Sequence, residues 1–110
     1  MNDFKRNQWF DKHGLPHNSL DKFNKAENWW EPIKTMLDMQ IILTCSWEFY
    51  VKFRGDEYFI CSEWDCYSIY FSNGDYLLYE TDDLDDFGEN ARIGMSGEFY
   101  LKDVIGELEF

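Results

Sequence analysis

The residues of this chain best suited to chemistry are carboxylates. Eleven of them lie between Arg54 and Arg92: Asp56, Glu57, Glu63, Asp65, Asp75, Glu80, Asp82, Asp83, Asp85, Asp86 and Glu89. No Lys or Arg stands among them. Clustered carboxylates can run acid–base catalysis, hold a hard cation, or meet a cationic surface. Acid–base work needs a pocket that drives two pKa values apart, and nothing in this spacing marks one. The run Asp83-Leu84-Asp85-Asp86-Phe87-Gly88 opens like a calcium loop. The match fails because Phe87 takes the fifth position, where a ligand is needed, and Gly94 the twelfth, where a bidentate Glu belongs. The cationic surface is left.

The other reactive side chains do not form a set. His13 and His17 sit near one end, while Cys45, Cys61 and Cys66 fall within β-patterned segments. A zinc site draws about four ligands, usually in close-spaced pairs. No phosphate-binding loop, nucleophile elbow or dinucleotide fingerprint occurs. The expectation is a protein that is not an enzyme, with no metal and no cofactor.

The charge is unevenly distributed. Residues 1–54 carry eight basic and seven acidic side chains, and residues 55–110 carry two basic and fifteen acidic, for a net charge of −12. Such a field attracts cationic proteins and repels nucleic acid and anionic membranes. Disordered acidic chains are poor in aromatics, whereas Phe, Trp and Tyr make up 20% here, so the chain is expected to fold as one domain. Three cysteines without a CxxC spacing fit a reducing cytoplasm better than a disulfide scaffold. No apolar run reaches the roughly 18 residues of a membrane span, and the N-terminus lacks the apolar core of a secretion signal.

The elements that must position these residues read as helical to about residue 40, β over 41–80, and an acidic helix with a terminal turn over 81–110. Asn2 or Asp3 is suited to cap a helix bearing Phe4, Trp9 and Phe10, closed by Gly14 and Pro16. Asn18 or Ser19 is suited to cap a second, with Leu20, Phe23 and Ala26. Pro32 either opens a third segment running to about Met39 or kinks a longer one. From Ile41 the period turns to two, with Leu43, Cys45, Trp47, Phe49, Val51 and Phe53 on one face of a long strand. Gly55-Asp56, the region Glu63–Asp65 and Asn73-Gly74 mark turns between Glu57–Ser62, Cys66–Phe71 and Tyr76–Glu80. The expected fold class is α+β: N-terminal helices packed on one face of an antiparallel four-stranded meander, followed by short C-terminal helical segments.

These strands carry aromatics on both faces, as in Phe59 beside Tyr58 and Phe71 beside Tyr70, more than one helix-covered face needs. Aromatics beside unpaired charge are the material of protein–protein hot spots. Trp64, Tyr67 and Tyr76 therefore join the eleven carboxylates as expected partner-binding residues. Carboxylates on a rigid scaffold can imitate the phosphates of a nucleic acid and fill the basic groove of an enzyme that handles one.

The stretch Tyr79–Glu109 resembles the ending of small acidic proteins encoded in prophages of Gram-positive bacteria. They share a strand, an acidic helix start of the kind in Asp82–Ile93, and a terminal turn like Leu101–Glu109. The similarity spans about thirty residues; this chain departs from it at Gly88, where an apolar residue is usual, and by extra residues around Gly94–Phe99. Some proteins of this kind resemble anti-CRISPR proteins, which block DNA entry into Cas nucleases, often as DNA mimics. The resemblance implies phage origin more than it implies a target; with the acidic face, the expected partner is a Cas effector nuclease, foremost Cas9, in the cytoplasm of a bacterial host. Two alternatives stay open: an immunity protein that neutralises a basic toxin nuclease, and a small ligand-binding or enzymatic phage domain. The latter requires a concave pocket, the former a flat or convex acidic face.

Overall fold

A computed structural model describes residues 1–72 and 75–110. Helix α1 (Asp3–Lys12) starts where Asn2 Oδ1 accepts the Lys5 N–H at 2.8 Å, and it buries Trp9 and Phe10. Phe4 points to solvent, so the buried stripe is shorter than the sequence pattern. Helix α2 (Asp21–Lys25) is a single turn around the buried Phe23. Neither Asn18 nor Ser19 caps it with a side chain; Ser19 Oγ donates instead to the Pro16 carbonyl at 2.6 Å.

Two expectations are corrected between residues 32 and 47. Pro32 neither opens nor kinks a helix, because it lies in a turn ahead of α3 (Met36–Leu43). That helix is set by a capping box: Thr35 Oγ1 accepts the Asp38 N–H at 3.2 Å, and the Asp38 carboxylate accepts the Thr35 N–H at 3.0 Å. The cap at Thr35, three residues after Pro32, fixes the start at Met36, and the helix runs to Leu43. The expected strand from Ile41 is therefore shorter and begins at Glu48. Met39, Ile41, Ile42 and Leu43 are all buried, and a fully buried apolar run has no period by which to tell helix from strand.

Strands β1 (Glu48–Phe53), β2 (Asp56–Glu63), β3 (Cys66–Phe71) and β4 (Tyr76–Thr81) form the antiparallel meander in the order β1-β2-β3-β4. Two-residue loops join the first three. Arg54 and Gly55 have φ of 50° and 86°, and Trp64 and Asp65 have 55° and 57°, the doubly left-handed geometry of the tight hairpin turn. The third hairpin pairs Phe71 with Tyr76 as expected, while its Asn73-Gly74 signal lies outside the described residues. A bulge in β4 sets Tyr79 opposite Ile69 and Leu77 opposite Tyr70, leaving Leu78 as the extra residue.

One face of the sheet meets the helices. Phe49, Val51, Phe53, Tyr58, Ile60, Tyr67, Ile69 and Phe71 join Phe10, Phe23 and the α3 residues in one core. Helix α4 (Leu84–Asn90) packs on α3, and the short strands β5 (Arg92–Ile93) and β6 (Phe99–Tyr100) lead into α5 (Leu101–Val104) and a 3₁₀ turn (Ile105–Glu107). The chain then returns beside β1. Lys52 N–H donates to the Glu109 carbonyl at 2.7 Å and Glu109 N–H to the Lys52 carbonyl at 2.9 Å, covering that sheet edge, while Phe110 packs among Trp29, Trp30 and Phe49. No helix among the described residues is long and apolar enough to cross a membrane.

Candidate partner-binding face

The second face of the sheet is where uncommitted groups collect. Strand alternation puts Glu48, Tyr50 and Lys52 of β1 outward, with Glu57, Phe59, Cys61 and Glu63 of β2, Cys66, Ser68 and Tyr70 of β3, and Leu77 and Glu80 of β4. The register aligns these into rows. Tyr50, Phe59, Tyr70 and Leu77 stand opposite one another across all four strands, with ring centroids 5.0 Å apart for Tyr50–Phe59 and 6.3 Å for Phe59–Tyr70. Tyr50 is 57% and Leu77 47% exposed, so no helix covers the row. The neighbouring row, Glu48–Cys61–Ser68–Glu80, ends in a carboxylate on each side.

Strand geometry sets the scale of this pattern. Three strand spacings separate Glu48 from Glu80, about 14 Å, and six residues separate Glu57 from Glu63, about 20 Å. The four carboxylates surround an apolar centre. Among the described residues none has a cation within ion-pair distance, and Lys52 is the one basic side chain that alternation turns to this face. The depression running over Phe59, Cys61 and Tyr70 between Glu48, Glu63 and Asp75 is shallow, about 360 Å³.

The two thiols here are not nucleophiles. Burial pushes the Cys61 thiol up, helped by Glu63 and Glu48. Burial does the same for Cys66, with the Glu80 and Asp82 charges adding to it. A thiol held above its ordinary pKa stays protonated and inert. Among the described residues no three His, Cys, Asp or Glu side chains gather as a metal site.

The acidic helix start behaves differently from its sequence reading. Asp83 is the N-cap of α4, its Oδ1 accepting the Asp85 N–H at 2.9 Å and the Asp86 N–H at 3.3 Å. Asp85 is a clamp between α4 and α1. It accepts Trp9 Nε1–H at 3.0 Å, sits 2.7 Å from His13 Nε2 and pairs with Lys12 Nζ at 2.5 Å. Burial raises its pKa, but the hydrogen bonds from Lys12, Trp9 and His13 outweigh burial and hold it below the ordinary value. Asp86 accepts the Tyr79 hydroxyl and Asn90 Nδ2, the latter at 2.7 Å, and Glu89 pairs with Lys102 at 3.1 Å. Asp82 has no such bond among the described residues. The cluster expected to face a partner is thus mostly consumed in holding α4.

The remaining expected residues divide. Asp65 is paired with Lys5 and the Met1 amine, each at 3.1 Å. Asp56 opens β2 after the first turn, and Asp75 closes the third hairpin with φ 50°. Trp64 projects from the β2–β3 tip, 91% exposed. Tyr76 lies on the helix side against Phe71, and its hydroxyl donates to the Met95 carbonyl. Tyr67 is corrected outright: at 1% exposure it is core, its phenol pushed up to about 12 by burial and by the Asp65 and Asp83 charges, and no partner can reach it. Glu48, Tyr50, Phe59, Tyr70 and Leu77 were not among the expected residues. The aromatics on both strand faces were the signal for Phe59 and Tyr70, while Glu48 lies outside the basic-free interval that drew attention.

Compared with protein families, curated proteins and solved structures, the chain matches none.

Proposed function

We propose that this protein is a binding inhibitor that docks its uncovered sheet face on the cationic groove of a nucleic-acid enzyme. One observation carries the reading: the Tyr50–Phe59–Tyr70–Leu77 row is uncovered, exposed at Tyr50 and Leu77 and half-buried at Phe59 and Tyr70. Around it Glu48, Glu57, Glu63 and Glu80 have no ion-pair partner among the described residues, Lys52 opposite Glu57 being the one cation on the face. An apolar centre inside a polar rim is the anatomy of a protein interface. The rim carboxylates take the places of phosphates against the partner's Lys and Arg and steer its approach, and the ring row slows release. Mimicry therefore rests on the sheet face and Asp82, not on a ladder along α4. The described depressions are open to solvent and none is enclosed, which suits a docking face better than a buried small-ligand site.

A Cas effector nuclease in a bacterial cytoplasm is the foremost candidate partner given the phage origin that the C-terminal resemblance implies, and a basic toxin nuclease has the same electrostatics. Capture of purified Cas9 and Cas12, with and without guide RNA, beside a panel of basic toxin nucleases tests the reading. Binding is expected to fall steeply between about 50 and 500 mM salt, where the Debye length shrinks severalfold. Capture of none of these enzymes, or capture indifferent to salt, overturns it.

A further inference from the structure

The molecule contains its own example of how an aromatic ring and a carboxylate together hold a cation. Arg54 places its guanidinium carbon 4.5 Å from the Phe99 ring centroid and 5.0 Å from that of Phe53, while its Nε donates to Glu107 at 3.3 Å. Arg92 lies 3.8 Å over Tyr100. In both cases the planar cation uses a ring face, and in the first it also uses a carboxylate.

The uncovered face repeats the receiving half of this arrangement with no cation in ion-pair contact among the described residues, although Lys52 stands across from Glu57 in the register. Glu48 lies two residues before Tyr50 on β1, and Glu57 two residues before Phe59 on β2, on the same outward side. That spacing sets each carboxylate about 7 Å along the strand from its ring. Phe59 and Tyr70 extend the ring surface onto the next strand.

We propose that this face recognises arginine, not cationic charge in general. A guanidinium from an arginine-bearing segment of the partner lies on a ring of the Tyr50–Phe59–Tyr70 row and forks onto Glu48 or Glu57. Arginine suits this because its cation is flat, weakly hydrated and carries paired N–H donors. The lysine ammonium is compact and strongly hydrated and gains only the charge. The charge of the face argues against the other occupants. Nucleic acid and anionic lipid are repelled, and a second copy of this face would set carboxylate against carboxylate.

The inference rests on reading the face as a partner-binding surface, and its test is separable from that of the function. Oligo-arginine and oligo-lysine peptides of equal length are titrated into the full-length protein by calorimetry at about 100 mM salt, where charge is screened beyond about 10 Å. Arginine is expected to bind about tenfold tighter, a difference of about 1.4 kcal/mol. Phe59→Leu and Tyr70→Leu, which keep the surface apolar but remove the π faces, should erase the preference. Glu48→Gln with Glu57→Gln should weaken both peptides. Equal affinity for the two peptides, or a preference that survives both leucine variants, overturns the inference. An arginine preference without capture of any nucleic-acid enzyme removes the functional reading and leaves this one standing; capture without the preference does the reverse.

Discussion

The two sides of the sheet are built from the same residue types and use them in opposite ways. On the helix side, Tyr58, Tyr67 and Phe71 are buried, and the nearby acids are committed: Asp83 to a helix cap, Asp85 to α1, Asp86 to Tyr79. On the outer side, Tyr50 faces water, Phe59 and Tyr70 are half-buried, and Glu48, Glu57, Glu63 and Glu80 make no ion pair among the described residues. A carboxylate with fixed donors stabilises the fold, and one without them adds to the self-repulsion of the chain. What separates structural from interacting acids is their partners, and composition does not report partners.

The largest effect that could break this contrast comes from one strand. Tyr67→Ala should cost about 3–5 kcal/mol, as for other buried aromatics, whereas Tyr70→Ala, three residues on and outward, should cost well under half of that. Urea unfolding of both variants measures the difference, and similar losses would mean that the outer face is also core.

The next effect separates the acids. Asp85→Asn should destabilise by about 1–2 kcal/mol at neutral pH, reduced from a fully buried case by partial exposure, while Glu80→Gln should stay within about 0.5 kcal/mol. The sign of the pH dependence follows from the lowered pKa of Asp85 in the fold. Its contribution is complete above the unfolded carboxylate value of about 3.9 and is lost as pH falls through the lower folded value. Thermal melts below about pH 4 should therefore show a shallower acid loss in Asp85→Asn than in the parent.

Gly88 sharpens the covered side further. A Cβ there would lie 2.2 Å from Gln40 Nε2, whose hydrogen bond to the Leu84 carbonyl, at 3.0 Å, ties α3 to α4. Gly88→Ala gains about 1 kcal/mol of helix propensity but loses a buried hydrogen bond of about 1–3 kcal/mol. It should be mildly destabilising alone and stabilising in a Gln40→Ala background, measured as a double-mutant cycle. The smallest effect belongs to the hairpin tip. Trp64 has φ 55°, unfavourable for a bulky side chain, so Trp64→Gly should leave stability unchanged or raise it by up to about 1 kcal/mol.

The fold was legible in the sequence at the strands, their turns and the first helix. Asn2 announced α1, period two announced β1 over Glu48–Phe53, and the α+β meander with helices on one face followed from alternation and turn residues. It was not legible at Ile41–Leu43, where burial on all sides erases the period and the Thr35–Asp38 box decides. The face was half legible. Aromatics on both strand faces pointed to Phe59 and Tyr70, but the Asp82–Asp86 run drew attention through charge density. The use of Asp85 as a clamp depends on Trp9, Lys12 and His13, more than seventy residues away in sequence.

The unpaired outer carboxylates give the protein two opposed responses to the same ion. Added salt screens their mutual repulsion, so the free protein should melt at a higher temperature in about 500 mM than in about 50 mM salt, while the proposed complex with a cationic partner should loosen over that range. Under the proposed function, ionic strength would act as a release signal that leaves the released molecule sturdier than it was at low salt, ready to bind again when the salt is diluted.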